Sequence, residues 1–121
     1  MRRILLVLTL LILPLVRGAA TDWPMFHLNP RHLACNRAET IITRQNVKFL
    51  KQKWVGIAGD IVDFSSPAVV NGVVYVGSTD GKLYVFNASG CGNSSCNATW
   101  TGSAGGSIYS SPAVVNGVVY V

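Results

Sequence analysis

Ser65 to Val76 reads SSPAVVNGVVYV, and Ser110 to Val121 reads the same twelve residues 45 positions later. Twelve consecutive identities make an internal repeat, and the flanks extend it. Trp54-Val-Gly-Ile-Ala-Gly59 lines up with Trp100-Thr-Gly-Ser-Ala-Gly105 at an offset of 46, so one residue is lost before the Ser-Ser-Pro. A unit of this length points to a solenoid, a propeller or an array, in which each unit buries its apolar surface against the next.

Each unit reads as short strands. Ala68–Val70 is apolar, Asn71-Gly72 is a two-residue hairpin signal, and Val73 to Ser78 continues apolar and β-branched. Thr79-Asp80-Gly81 forms a second turn before the strand Lys82 to Asn87. A long polar loop, Ala88 to Asn97, leads to the strand of Trp100. Nothing from Trp54 onward has the 3.6-residue apolar period of a helix. Val73 and Tyr75 point one way and Val74 and Val76 the other, so both sheet faces are apolar, whereas a sheet with one wet face alternates with polar residues. The expected fold is all-β: a β-propeller of four-stranded antiparallel blades, of which about one and a third are present. Val121 falls inside a strand whose counterpart, Val76, runs on into Gly77-Ser-Thr-Asp-Gly81. We therefore expect the front end of a longer protein, truncated within a blade.

The first 20 residues are of a different kind. Met1-Arg2-Arg3 precedes the apolar run Ile4 to Val16, and Gly18-Ala19-Ala20 supplies small residues for a peptidase. The run is 13 residues long and holds Pro14, short of the roughly 20 that span a membrane. Residues 1–20 are read as a cleaved signal peptide, which places the protein outside the cytoplasm: periplasmic, cell-surface or extracellular, with no membrane span after cleavage. The net charge of +5 is largely local to this end, because Arg2, Arg3 and Arg17 account for three of it. No nucleic-acid partner is expected. Arg31, Arg37, Arg44, Lys48, Lys51 and Lys53 make the entry segment, residues 21–53, a basic strip that reads as solvated surface.

Across residues 54–121 the chain resembles the PQQ-like repeat family, the quinoprotein-type β-propellers. The resemblance is carried by Ser65 to Gly77, by Asp80-Gly-Lys-Leu-Tyr-Val-Phe-Asn-Ala88 and by Trp54 and Trp100. Asp22-Trp-Pro-Met-Phe26 and Asn46-Val-Lys-Phe-Leu50 look like the family's entry segment. The resemblance implies that Trp54 and Trp100 dock between adjacent blades. The family usually makes a short Thr-Gly turn before its tryptophan; here Ala88 to Thr99 is longer and carries two cysteines.

Those cysteines, Cys91 and Cys96, are expected to pair as a disulfide in an exported protein. His27, His32 and Cys35 match no common zinc spacing, and Cys35 is the odd thiol. Asn87-Ala-Ser, Asn93-Ser-Ser and Asn97-Ala-Thr are N-glycosylation sequons, although Asn87 also ends a strand, where asparagine is ordinary. Asp60 and Asp63 are near neighbours in a turn that the second unit does not reproduce. No catalytic constellation is visible.

Three functions compete. The first is a non-catalytic exported scaffold or binding module whose loops recognise a protein or glycan. The second is the front of a PQQ-dependent alcohol or sugar dehydrogenase. No cofactor ligand is evident in this segment, and the resemblance implies that any PQQ and calcium ligands lie in later blades. The adjacent cysteine pair of many alcohol-oxidising members is absent. The third, a lipoprotein subunit of an outer-membrane assembly machine, lacks the expected lipid-bearing cysteine. The first reading is preferred, since one architecture hosts many activities.

Overall fold

The computed structural model describes residues 22–121; the signal-peptide reading of residues 1–20 lies outside them. The described chain is all-β apart from one 3-10 turn, Val47–Phe49. Its strands are β1 (Val55–Ile57), β2 (Ala68–Val70), β3 (Val73–Gly77), β4 (Lys82–Asn87), β5 (Ser95–Asn97), β6 (Trp100–Ser103), β7 (Ala113–Val115) and β8 (Val118–Tyr120). The first unit forms an antiparallel four-stranded sheet in the order β2-β3-β4-β6. The second contributes the hairpin β7-β8.

Identical residues make identical turns. Asn71 and Gly72 have φ of 50° and 73°, and Asn116 and Gly117 have 50° and 77°. Two successive positive φ values define the turn whose twist matches a β-hairpin, and Asn-Gly is the pair that adopts it at least cost. The register Val70↔Val73, Val69↔Val74 and Ala68↔Tyr75 recurs as Val115↔Val118, Val114↔Val119 and Ala113↔Tyr120.

In the sheet of the first unit the inner strand β4 is dry on both faces, while the edge strand β6 is largely exposed. In β4, Leu83, Tyr84, Val85 and Phe86 are all buried although consecutive side chains project oppositely. Val76, Tyr84 and Phe86 form the core of one face, with Trp54, Ala58 and Val74 packed against them. On the other side the second unit approaches Gly77, where a Cβ would collide with Ile108. The two units meet through equivalent residues, Ser66 N–H donating to Ser111 Oγ at 2.9 Å.

Two features depart from expectation. The loop from Ala88 to Asn97 contains a short strand, β5, and β1 pairs with it in parallel, Val55↔Ser95 to Ile57↔Asn97. By repeat position β1 corresponds to β6, an antiparallel sheet strand. Among the described residues no β4-like strand lies beside β1, and the disulfide loop fills one of its edges instead. The entry segment also does more than carry charge. Trp23 exchanges both backbone hydrogen bonds with Val69, and Pro24 accepts from Val114 N–H at 2.8 Å, so one extended stretch stitches the first strands of both units. Pro24 brings no N–H of its own, and in this position none is left to satisfy.

Candidate functional site

The most elaborated surface feature is the loop between β4 and β6. Cys91 and Cys96 are disulfide-bonded, with Cα atoms 5.7 Å apart. Cys96 is buried on β5, while Cys91, Gly92, Asn93, Ser94 and Ser95 are exposed. The bridge thus anchors a small polar ring at one end, and Cys91 N–H donates to Cys96 Sγ at 3.0 Å. The ring is joined to β1, because Val55 N–H donates to Ser94 O at 2.9 Å.

Beside the ring runs an open groove of about 270 Å³, lined by residues that include Lys53, Trp54, Ser89, Gly90, Asn93 and Ser94. Trp54 forms its floor. The indole N–H donates to Ala88 O at 3.2 Å, its ring centroid lies 5.9 Å from that of Phe86, and Gly90 lies so close that a Cβ there would meet the indole. Gly90 has φ 85°, so the loop reverses over the tryptophan in a conformation that glycine tolerates best. The groove wall offers one ammonium, two hydroxyls and an amide, groups suited to the hydroxyls of a glycan or the carbonyls and carboxylates of a peptide.

Trp100, the counterpart of Trp54, is 57% exposed, with its indole lying over Gly102 of its own strand. At the equivalent position of the first unit, Gly56 gives its space to the Phe86 ring. The two tryptophans are chemically equal, and the neighbours decide which of them is covered.

The three sequon asparagines are exposed but not equivalent. Asn87 Oδ1 accepts from both Ser89 N–H and Ser89 Oγ–H, folding that sequon on itself. In the Asn97 sequon, Thr99 Oγ1 donates to Val85 O at 3.0 Å. Asn93 stands on the disulfide-closed ring.

A second polar cluster joins the turns at the far end of β4. Gly59 N–H donates to Tyr84 Oη at 2.7 Å, and Tyr84 O–H donates to Asp80 Oδ2 at 2.5 Å. The phenol hydrogen bond holds the Asp80 carboxyl below its ordinary pKa, and the same bond, aided by burial, raises that of Tyr84. This cluster ties the β1 turn to β4 and is structural. Sequence reasoning missed it, although the spacing from Asp80 to Tyr84 was in plain view. It missed the role of Ser65 as well, whose Oγ accepts from the buried Gly77 N–H at 2.9 Å.

Elsewhere the polar residues do not converge. The imidazoles of His27 and His32 lie 5.6 Å apart, and Cys35 is an exposed free thiol. Among the described residues no three His, Cys, Asp or Glu side chains are grouped so as to hold a metal ion. Asp22 accepts from Asn71 N–H, Glu39 from Ile41 and Ile42 N–H, and Asp60 from Ile61 N–H. Glu39 and Asp60 serve their own loops and Asp22 ties the entry segment to the β2–β3 turn; they do not fit a calcium or quinone site, so no chemistry is routed through either. The Glu39 carboxyl is held below its ordinary pKa by the backbone hydrogen bonds from Ile42 and Ile41. Compared with known proteins, the chain matches no family model and no curated sequence.

Proposed function

We propose that the chain is part of an exported PQQ-like β-propeller that acts as a non-catalytic binding or scaffold module, with the disulfide-ringed loop and its groove as a recognition surface for a protein or glycan. One observation carries the reading: a four-stranded antiparallel sheet whose inner strand β4 is buried on both faces, contacting the next 45-residue unit through equivalent serines. A sheet with two dry faces is stable only when sandwiched, and a ring or stack of such units supplies that. The Cys91–Cys96 bridge accords with an oxidising compartment and hence with export. Asp22, Glu39, Asp60 and Asp80 each accept hydrogen bonds from backbone or phenol groups, a structural use that favours binding over catalysis.

The test is electron microscopy of the protein as its source exports it, with an assay of dye-linked alcohol and sugar oxidation after loading with PQQ and calcium. A closed ring of blades without turnover is the expected result. Turnover dependent on the quinone would replace the scaffold with the dehydrogenase, and a particle without radial repeats would remove the propeller.

A further inference from the structure

Three sequons fall between Asn87 and Thr99, and the fold treats them differently. An N-glycosylation acceptor must offer two groups together, the asparagine amide nitrogen and the hydroxyl two residues on, from a surface segment that a transferase can grip.

Asn87 is the last residue of β4 and pairs with Val73. Its Oδ1 accepts from Ser89 N–H at 2.9 Å and from Ser89 Oγ–H at 2.7 Å, so the amide group and the hydroxyl are spent on each other. Asn97 is the last residue of β5 and pairs with Ile57 of β1. The hydroxyl of its sequon, Thr99 Oγ1, donates to Val85 O at 3.0 Å, and Thr99 N–H donates to the same oxygen at 2.8 Å. Presenting either sequon to an enzyme requires a strand end to peel from its neighbour.

Asn93 stands between the bridged cysteines, outside every strand. Its sequon hydroxyl belongs to Ser95, which opens β5 opposite Val55. Asn93, Ser94 and Ser95 are exposed, and among the described residues no group hydrogen-bonds the Asn93 amide or the Ser95 hydroxyl. Beside them Gly92 has open space: beyond its chain neighbours nothing lies within 4 Å of where a Cβ would be. The Cys91–Cys96 bridge supplies the closure that Asn87 obtains from Ser89, and so leaves the polar groups of the Asn93 sequon free.

We propose that Asn93 is the N-glycosylation site of this chain and that the fold withholds Asn87 and Asn97. The donor is an oligosaccharide carried on a polyprenyl pyrophosphate. Asn93 Nδ2 bonds to the anomeric carbon, and the bond from that carbon to the pyrophosphate oxygen breaks. The lipid pyrophosphate leaves, and the amide gives up one proton to a base of the transferase. This site goes beyond the recognition reading and does not rest on it. Because Asn93 also lines the groove over Trp54, the glycan stands at the groove's rim.

The experiment presents the purified, disulfide-bonded chain to an oligosaccharyltransferase with its lipid-linked donor. Synthetic peptides spanning residues 84–90, 90–96 and 94–100 serve as references without the fold. Enzymatic release in heavy-oxygen water converts each glycosylated asparagine to labelled aspartate, which peptide mass spectrometry locates. In the folded chain Asn93 is occupied at least about tenfold more than Asn87 or Asn97, because each of those needs a local opening first. Among the peptides this preference disappears, with the threonine sequon of Asn97 accepting at least as well as that of Asn93. Equal occupancy of the three sites in the folded chain, or an order that repeats that of the peptides, overturns the proposal. A folded chain left unmodified at Asn93 overturns it too.

Discussion

Replacing both Cys91 and Cys96 by alanine tests whether the disulfide holds the β4–β6 loop against β1. The bridge closes a ring with a sequence separation of 5. Chain-entropy arithmetic for a ring of this size gives about 2 kcal/mol, drawn from the freedom denied to the opened loop. That corresponds to a roughly thirty-fold rise in the population of the opened loop. Alanine keeps a small apolar group where Cys96 is buried, so little packing is lost with the bond. The amide to watch is Val55, which donates to Ser94 O inside the ring. Its hydrogen exchange should accelerate by roughly the same thirty-fold, and that of Phe86, in the centre of the sheet, should stay unchanged to within about threefold. Reduction of the native protein should reproduce the effect. If Val55 exchanges alike with and without the bridge, the loop is held by other contacts and the reasoning fails. If Phe86 accelerates equally, the bridge stabilises the whole sheet and the local account fails.

Other outcomes follow from the same contacts. Phe86→Ala removes the ring that fills the space beside Gly56 and Trp54, and should cost about 3–5 kcal/mol in urea unfolding; Gly56→Ala should also destabilise, since its Cβ would meet the Phe86 ring. Ser65→Ala leaves the buried Gly77 N–H without its acceptor and should cost about 1–3 kcal/mol, whereas Ser111→Ala removes a half-buried inter-unit bond and should cost about 1 kcal/mol. The lowered pKa of Asp80 means that its stabilising share is present above the unfolded carboxyl value, about 3.9, and is lost as pH falls through the folded value. The raised pKa of Tyr84 means the converse: its share is present below about 10 and is lost as pH rises through the folded value. Tyr84→Phe should therefore move the Asp80 carboxyl pKa, followed by NMR, upward toward the ordinary range; an unmoved carboxyl would show that the phenol does not hold it.

The strands were legible because their signals are local. Asn71-Gly72 and Asn116-Gly117 fix a turn and a register without help from elsewhere, and the run from Lys82 to Asn87 is a strand end to end in the structure. The pairing of Cys91 with Cys96 was legible for the same reason, since two thiols so close in sequence can hardly avoid each other. β5 and its parallel pairing with β1 were not legible. Ser95–Asn97 has little intrinsic strand preference and becomes a strand because the disulfide and the Val55 amide hold it there. The stitch made by Trp23 and Pro24 was hidden likewise, being a contact between residues 46 and 90 positions apart in the chain.

Burial was legible for one unit and not for the other, which bears on how the repeat works. Ala68 and Ala113 sit in the same dodecamer with the same hairpin register, yet one is fully buried and the other only half-buried. Trp54 and Trp100 differ in the same way. A side chain's pattern therefore records the environment for which its unit is suited, and only a neighbour provides that environment. Here the neighbours act through backbone groups as well as apolar surface: Ser111 Oγ accepts from Ser66 N–H, and Pro24 O accepts from Val114 N–H. Because these contacts are backbone-directed, they tie each unit to the next in a fixed register, which apolar faces alone would leave free to slide.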